Sequence, residues 1–435
     1  MRDGFWPAGG WRRLAAAVAC GVLGGSSLVV TPASAATWTA IQDVSAPGWS
    51  GQDSSTVAVD REGDALLVWA GCDETKPYCY FQAQARLAPA GGGPLGPIAT
   101  LSPVGTSSSW PQVAADDDGD AAVVWQQDGV VVGRRISASG SVGVLQAFSG
   151  PHASTPFVAV EPTGRALVVW TQYANEAYST KARYFNTDGA LGPELTLGAS
   201  SGDQAAVAVD RAGGAVVAWP DAEYRQVLAR RLTPASLSEP LTIAPPAVDV
   251  RFGRVLVTLD RDGDAAISYR HVYNNEQPSV RVHQLSRDGV LGHALHATPP
   301  DHEVTPYSTL ATDLDGDSVL VWSTRTYGVM ADVYARSISR TGTLGDITAF
   351  GQGDRPTVTL DDDGDGLLAW QAAGPRWAFM GVWASTVTRD GAFGEIEELS
   401  TDGGVVRAST SPTGRFVVTW QRAPYPYEIQ ARFGH

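Results

Sequence analysis

The chain has 435 residues, a formal net charge of −15 at pH 7 and only three cysteines. An acidic surface repels phosphate backbones, which argues against nucleic acid as a partner. No stretch beyond residue 35 shows apolar spacing at 3.6 residues, glycine and proline punctuate the whole chain, and no long apolar run follows Val30, so neither a helical bundle nor a membrane span is expected.

Residues 1–35 read as a signal peptide. Arg12 and Arg13 precede the apolar stretch Leu14–Val30, and Ala33-Ser34-Ala35 has the small-residue spacing of a signal peptidase site. The arginine pair leaves both the general and the twin-arginine route open. Removing this segment, with its three arginines and one aspartate, takes the net charge from −15 to −17. Residues 36–435 read as one exported domain, secreted and monomeric.

The next segment, Thr37–Gln42, is a short β-prone run with no partner of its own. Beyond it the chain repeats. VAVDREGDALLVW (Val57–Trp69) returns, with variation, at Val113–Trp125, Val158–Trp170, Val207–Trp219, Val257–Tyr269, Leu310–Trp322, Val358–Trp370 and Arg407–Trp420. The central glycines, Gly63, Gly119, Gly164, Gly213, Gly263, Gly316, Gly364 and Gly414, lie 45 to 56 residues apart, a period that signals one supersecondary unit repeated. Within the unit, two β-rich runs flank a Gly turn and read as a hairpin. The second run is apolar on both faces, as in a strand buried between sheets. A second hairpin follows, as at Arg183–Gly189 with Leu191-Gly192 and a return strand near Glu194–Leu197. Four strands per unit make the blade of a β-propeller.

The last repeat has its first hairpin and a third strand near Glu428–Phe433, then stops. Thr37–Gln42 supplies the missing strand and closes the ring. The expected fold is therefore all-β: an eight-bladed β-propeller of four-stranded antiparallel blades, closed by the N-terminal strand. The repeat tryptophans, with Tyr269 in the fifth copy, are expected to pack between blades. Cys72 and Cys79 are the only cysteines after residue 35, and in an exported chain they read as a disulfide.

Four turns place carboxylates at alternate positions: Asp116, Asp118 and Asp120; Asp260, Asp262 and Asp264; Asp313, Asp315 and Asp317; Asp361, Asp363 and Asp365. Such spacing can wrap calcium. Copies such as Glu161–Arg165 and Ser411–Arg415 keep the turn without that charge, so the favoured reading is a structural turn with no cofactor, calcium being the alternative. Five of the seven histidines fall between His271 and His302, but His293 and His296 face opposite sides of a strand and no shared metal is expected. No catalytic residue is assigned.

The loops joining second to third strands differ from blade to blade and are aromatic. Tyr173, Tyr224, Tyr273, Tyr327, Arg376, Trp377, Tyr425 and Tyr427 lie there, with Trp49 and Trp110 just ahead of inner strands on the same face. Variable loops on a rigid scaffold carry function, and aromatic planes beside polar groups suit a sugar or a protein hot spot.

Over residues 50–433 the chain resembles exported bacterial repeat proteins built on Val-Asp-x-x-Gly-Asn/Asp-Ala-x-Val-x-Trp, which form propellers of mostly unassigned role. It also echoes two other propeller groups. Sialidase Asp boxes place Gly three residues before Trp, whereas Gly63 precedes Trp69 by six. The docking motif of quinoprotein dehydrogenases is echoed at Ala58-Val59-Asp60 and Gly63, with shifted spacing. The combined expectation is a binding scaffold for carbohydrate or an extracellular protein. The alternative is an exported glycan-active hydrolase or lyase.

Overall fold

The computed structural model describes residues 35–51, 55–76, 78–246, 250–273, 277–325, 331–373, 379–423, 425 and 427–435, with the side chains at 250, 273, 373, 379 and 380 excepted. The signal-peptide expectation, apart from its last residue, and the sites at Tyr327, Arg376 and Trp377 lie outside these residues. So does the side chain of Tyr273.

The protein is a β-propeller, all-β among the described residues. Among the described residues strand pairing gives eight sets; in seven of them the strands run in chain order from innermost to outermost, and in the last the outermost strand is the N-terminal one. Blade 3 shows the plan: Ala153–Val160, Ala166–Ala174, Ala177–Phe185 and Leu195–Ser200, all antiparallel. In blade 1 both Trp49–Gly51 and Thr56–Val59 pair with the second strand. One strand, Leu344–Leu360, is both the outermost strand of blade 6 and the innermost of blade 7.

Blade 8 contains Gly403–Thr410, Phe416–Arg422 and Ile429–Gly434, and Gln42–Asp43 pairs with its last strand, Gln42 opposite Ala431 and Asp43 opposite Gln430. Trp38 bridges Gly434, and the Thr39 amide donates to the Phe433 carbonyl at 2.9 Å. The N-terminal segment therefore supplies the strand the last repeat lacks, as its sequence implied.

Eight apolar clusters hold the ring, each shared by two successive blades. The cluster joining Val57, Leu67 and Trp69 to Val417, Ile429 and Phe433 connects first repeat to last, so the circle is closed. All seven repeat tryptophans are fully buried in these interfaces, and Tyr269 takes the place in blade 5. Each indole buries about 150–250 Å², roughly 4–6 kcal/mol of gross transfer free energy. That is a large term for four short strands.

Arginines on third strands bind the outer layer. Arg86, Arg134, Arg183, Arg336 and Arg432 each donate to two or more backbone carbonyls, mostly one on the outermost segment and one in or near the preceding blade. In blades 3 and 6 the outer carbonyl is that of Gly192 or Gly345, which explains the repeated Leu-Gly. His283 makes the equivalent contact to Gly292 in blade 5.

Candidate functional site

The two ends of the ring have different jobs. At one end lie the turns between first and second strands. In six blades the first carboxylate folds its turn: Asp361 Oδ1 accepts from the amides of Asp363 and Asp365 at 3.0 and 2.9 Å, and Asp116, Asp210, Asp260 and Asp313 do the same, with Asp60 accepting from Gly63 and Asp64, while in blade 3 Glu161 accepts from the Arg165 guanidinium. The Ser411 hydroxyl substitutes in blade 8. The acid after the glycine caps the neighbouring outer turn of its own blade, Asp120 on Ala138, Asp264 on Arg287, Asp317 on Arg340 and Asp365 on Arg389. The turn glycines are needed twice over. Gly364 has φ +89°, and a Cβ there would come within 2.6 Å of Asp313 Oδ2 on the preceding blade.

Two of the three carboxylates in each acidic turn thus already accept backbone hydrogens. The third, as Asp262 or Asp315, makes an exposed ion pair with Arg340 or Arg261. Among the described residues, only Cys72, Glu74 and Cys79 bring three potential metal ligands together, and the two sulfurs are joined in a disulfide with Cα atoms 5.3 Å apart. Burial raises the carboxyl pKa values of Asp60, Asp116, Asp260 and Asp313, and pushes Asp361 up to about 6.

In blades 1, 2, 4, 5 and 7 the residue two before the turn glycine is drawn into ion pairs that cross blades. Arg61 pairs with Asp117 on the next blade at 2.8 Å. Asp362 of blade 7 meets Arg61 of blade 1 at 3.5 Å and Arg211 of blade 4 at 2.7 Å. Blades 4 and 7 are three apart in a ring of eight, so this network spans the axis and obstructs the central channel at the turn end.

The other end carries the variable loops. Strongly exposed aromatic side chains among the described residues occur only here: Tyr78 (76%), Tyr80, Trp110, Tyr173, Tyr178 and Tyr425 (58%). They belong to blades 8, 1, 2 and 3, which are consecutive. Tyr173 and Tyr178 face each other across a two-residue hairpin at Asn175-Glu176, both at positive φ, with ring centres 4.8 Å apart. Tyr425 packs edge-on to Tyr427 at 5.7 Å. Its hydroxyl bonds to Glu74, which raises its pKa and ties the blade 8 loop to the disulfide-closed loop of blade 1.

Not every expected site residue is free for a ligand. Tyr224 is half-buried, its hydroxyl donates to the Ser201 carbonyl at 3.3 Å, and its own carbonyl accepts from Phe252. Trp49 is half-buried within its strand opposite Asp73. Trp110 lies inside an innermost strand, not ahead of it, because that strand carries a bulge.

This bulge is a device the sequence reading did not find. In most blades the ladder slips where the innermost strand passes the repeat tryptophan. The residue nine before the turn glycine stands at the slip: Trp110, Thr155, Arg254, Tyr307, Arg355 and Val405. Trp110, Thr155, Arg355 and Val405 have φ near +50°, strained for any residue but glycine and most of all for β-branched Thr and Val. A bulge turns its extra residue out of the ladder. On an innermost strand that direction is the channel. The fixed offset from the glycine was readable; nothing in the residue types announced it, since they are all different.

Arg254 shows the result. Its side chain is exposed to solvent, and the protein around it lowers its pKa. Arg355 of blade 7 places its guanidinium 4.8 Å from the ring centre of Tyr307 in blade 6.

No family model matches the sequence and no curated protein matches it. Solved structures do. The Dos1 propeller superposes with a TM-score of 0.54 at 10% identity, over 92% of this chain and 94% of that one. Prolyl oligopeptidase B from Galerina marginata gives 0.50 at 9% identity, over 84% of this chain and 55% of that one. A protein of unknown function from Dyadobacter fermentans gives 0.45 at 13% identity, over 92% and 99%. At these identities the likeness concerns the fold alone.

Proposed function

We propose that the protein is an exported propeller that binds an extracellular glycan through its loop face. The observation that carries this reading is the placement of the strongly exposed aromatic planes, among the described residues, at the loop end of the ring. Flat, exposed rings with few rotamers cover sugar faces at small entropic cost, and a rigid scaffold holds them apart at fixed distances. The opposite end supports no such reading, because its repeated carboxylates are spent on folding the turns. Export is supported by the leader-like residues 1–35 and by the Cys72–Cys79 disulfide, which belongs to an oxidising compartment.

A glycan array on the purified protein tests the proposal, run beside an assay for released reducing ends. Binding without release is expected. Tyr178→Ala and Tyr425→Ala should each weaken it about tenfold while leaving the melting temperature near wild type. Product release would instead favour the hydrolase or lyase reading. A blank array with capture of a surface protein by the same tyrosines would make the partner a protein.

A further inference from the structure

On the side of blades 5 to 7, described residues bring basic side chains to the channel mouth. Three successive bulges deliver Arg254, Tyr307 and Arg355 there. In blade 5 the bulge is Arg254 alone, set between Gly253 opposite Arg270 and Val255 opposite Tyr269. In blade 7 it is Arg355-Pro356, and in blade 6 it is the longer Thr305–Tyr307. Tyr307 stands between the two arginines, stacked on one and electrostatically coupled to the other.

Arg254 makes no hydrogen bond or ion pair with any described residue. This is unusual in so acidic a chain, where 46 carboxylates face 31 basic side chains. Asp354, next to Arg355, accepts a hydrogen bond from Ser323 Oγ at 2.7 Å. A solvent-exposed guanidinium with no partner among the described residues is open to an arriving anion. The guanidinium fork also matches a carboxylate in two parallel hydrogen bonds. Meanwhile the ion pairs of Asp362 obstruct the channel at its far end, so a ligand enters from the loop face.

We infer that Arg254, with Tyr307 and Arg355, forms a subsite for the carboxylate of a uronic-acid unit in the bound glycan. The inference rests on the glycan reading above and adds its substrate class. The Tyr307 ring offers a stacking surface beside the charge, and the exposed tyrosines and Trp110 continue the same face toward blades 8, 1, 2 and 3. The net charge of −15 bears on the choice of anion. It repels densely charged polyanions and leaves a ligand with one carboxylate per ring, engaged locally, as the better fit.

Calorimetry on the full protein decides the matter with three probes: trigalacturonate, the neutral galactose trimer, and a pentaglutamate peptide. Wild type should bind the uronate at least tenfold more tightly than the neutral trimer. Arg254→Gln should lower uronate affinity about 10- to 100-fold, Arg254→Lys should restore part of it, and both should leave neutral-trimer affinity within about twofold. Arg254 is exposed, so the variants should fold, and an unchanged melting temperature checks this. Uronate affinity indifferent to Arg254→Gln overturns the inference. So does an equal loss for both sugars, or pentaglutamate binding that depends on Arg254 when the uronate does not bind. Neutral binding without uronate preference sinks this subsite alone, whereas failure of both sugars sinks the glycan reading itself.

Discussion

Closure of the ring by the N-terminal strand can be tested by deleting residues 36–43. The deletion removes two hydrogen bonds between Thr37 and His435, three made by Thr39 with Arg432 and Phe433, and two from Ala36 and Trp38 to Glu397. It also removes bonds between Gln42 and Gly92, Gln430 and Asp43, and Arg86 and Asp43, along with the short ladder at Gln42–Asp43 and the packing of Trp38 on Phe416. At a net of about 0.5–1.5 kcal/mol per bond, discounted because many groups would regain water, the loss is on the order of 5–8 kcal/mol. That rivals the whole stability of a typical domain. For some 400 residues the unfolding entropy near the midpoint is about 0.8 kcal/mol/K, so the melting temperature should fall by roughly 6–10 °C. The bared edge of Ile429–Gly434 should also promote association. Thermal unfolding followed by circular dichroism, with light scattering, reads both effects. A shift below about 2 °C with a monodisperse sample would refute the closure argument.

Other perturbations probe the interfaces and turns. Trp170→Ala should cost about 3–5 kcal/mol through a core cavity. Trp170→Phe should cost less than Trp219→Phe, because the buried Trp170 Nε1 has no partner whereas Trp219 Nε1 donates to the Ala199 carbonyl; chemical denaturation of the pair measures the difference. Asp361 should make stability fall as pH rises. Below about 3.8 both folded and unfolded states hold its proton, between 3.8 and about 6 the folded state holds it preferentially, and above 6 neither does. Partial exposure limits this contribution to about 1 kcal/mol, and the melting temperature of Asp361→Asn should lose that part of its slope between pH 4 and 7. Asn can still accept the two amide bonds, so the turn should survive. A chelator should move the melting temperature by less than about 2 °C; a larger drop that calcium reverses would recast the four acidic turns as metal sites.

The eightfold period, the hairpin turns and the doubly apolar second strands specify the blade locally, because alternation and glycine placement act within a dozen residues. The incomplete eighth repeat and the unpartnered segment at residues 37–42 likewise carried ring closure on their face. The job of the acidic turns was half legible: Asp116 or Asp361 folding its own turn follows from spacing, but Asp120 reaching Ala138 and Asp313 pressing on Gly364 of the next blade are contacts between separate elements. The axial ion pairs and the Arg254–Tyr307–Arg355 cluster were not legible as a group. Their members lie about fifty residues apart and share only an offset from a glycine. Sequence by itself determined the repeating strand, its turns and its buried tryptophan, since these obey short-range rules. Tertiary structure alone decided what faces the axis, because only closing the circle brings residues from different blades around a common channel, and only the bulge turns those side chains into it.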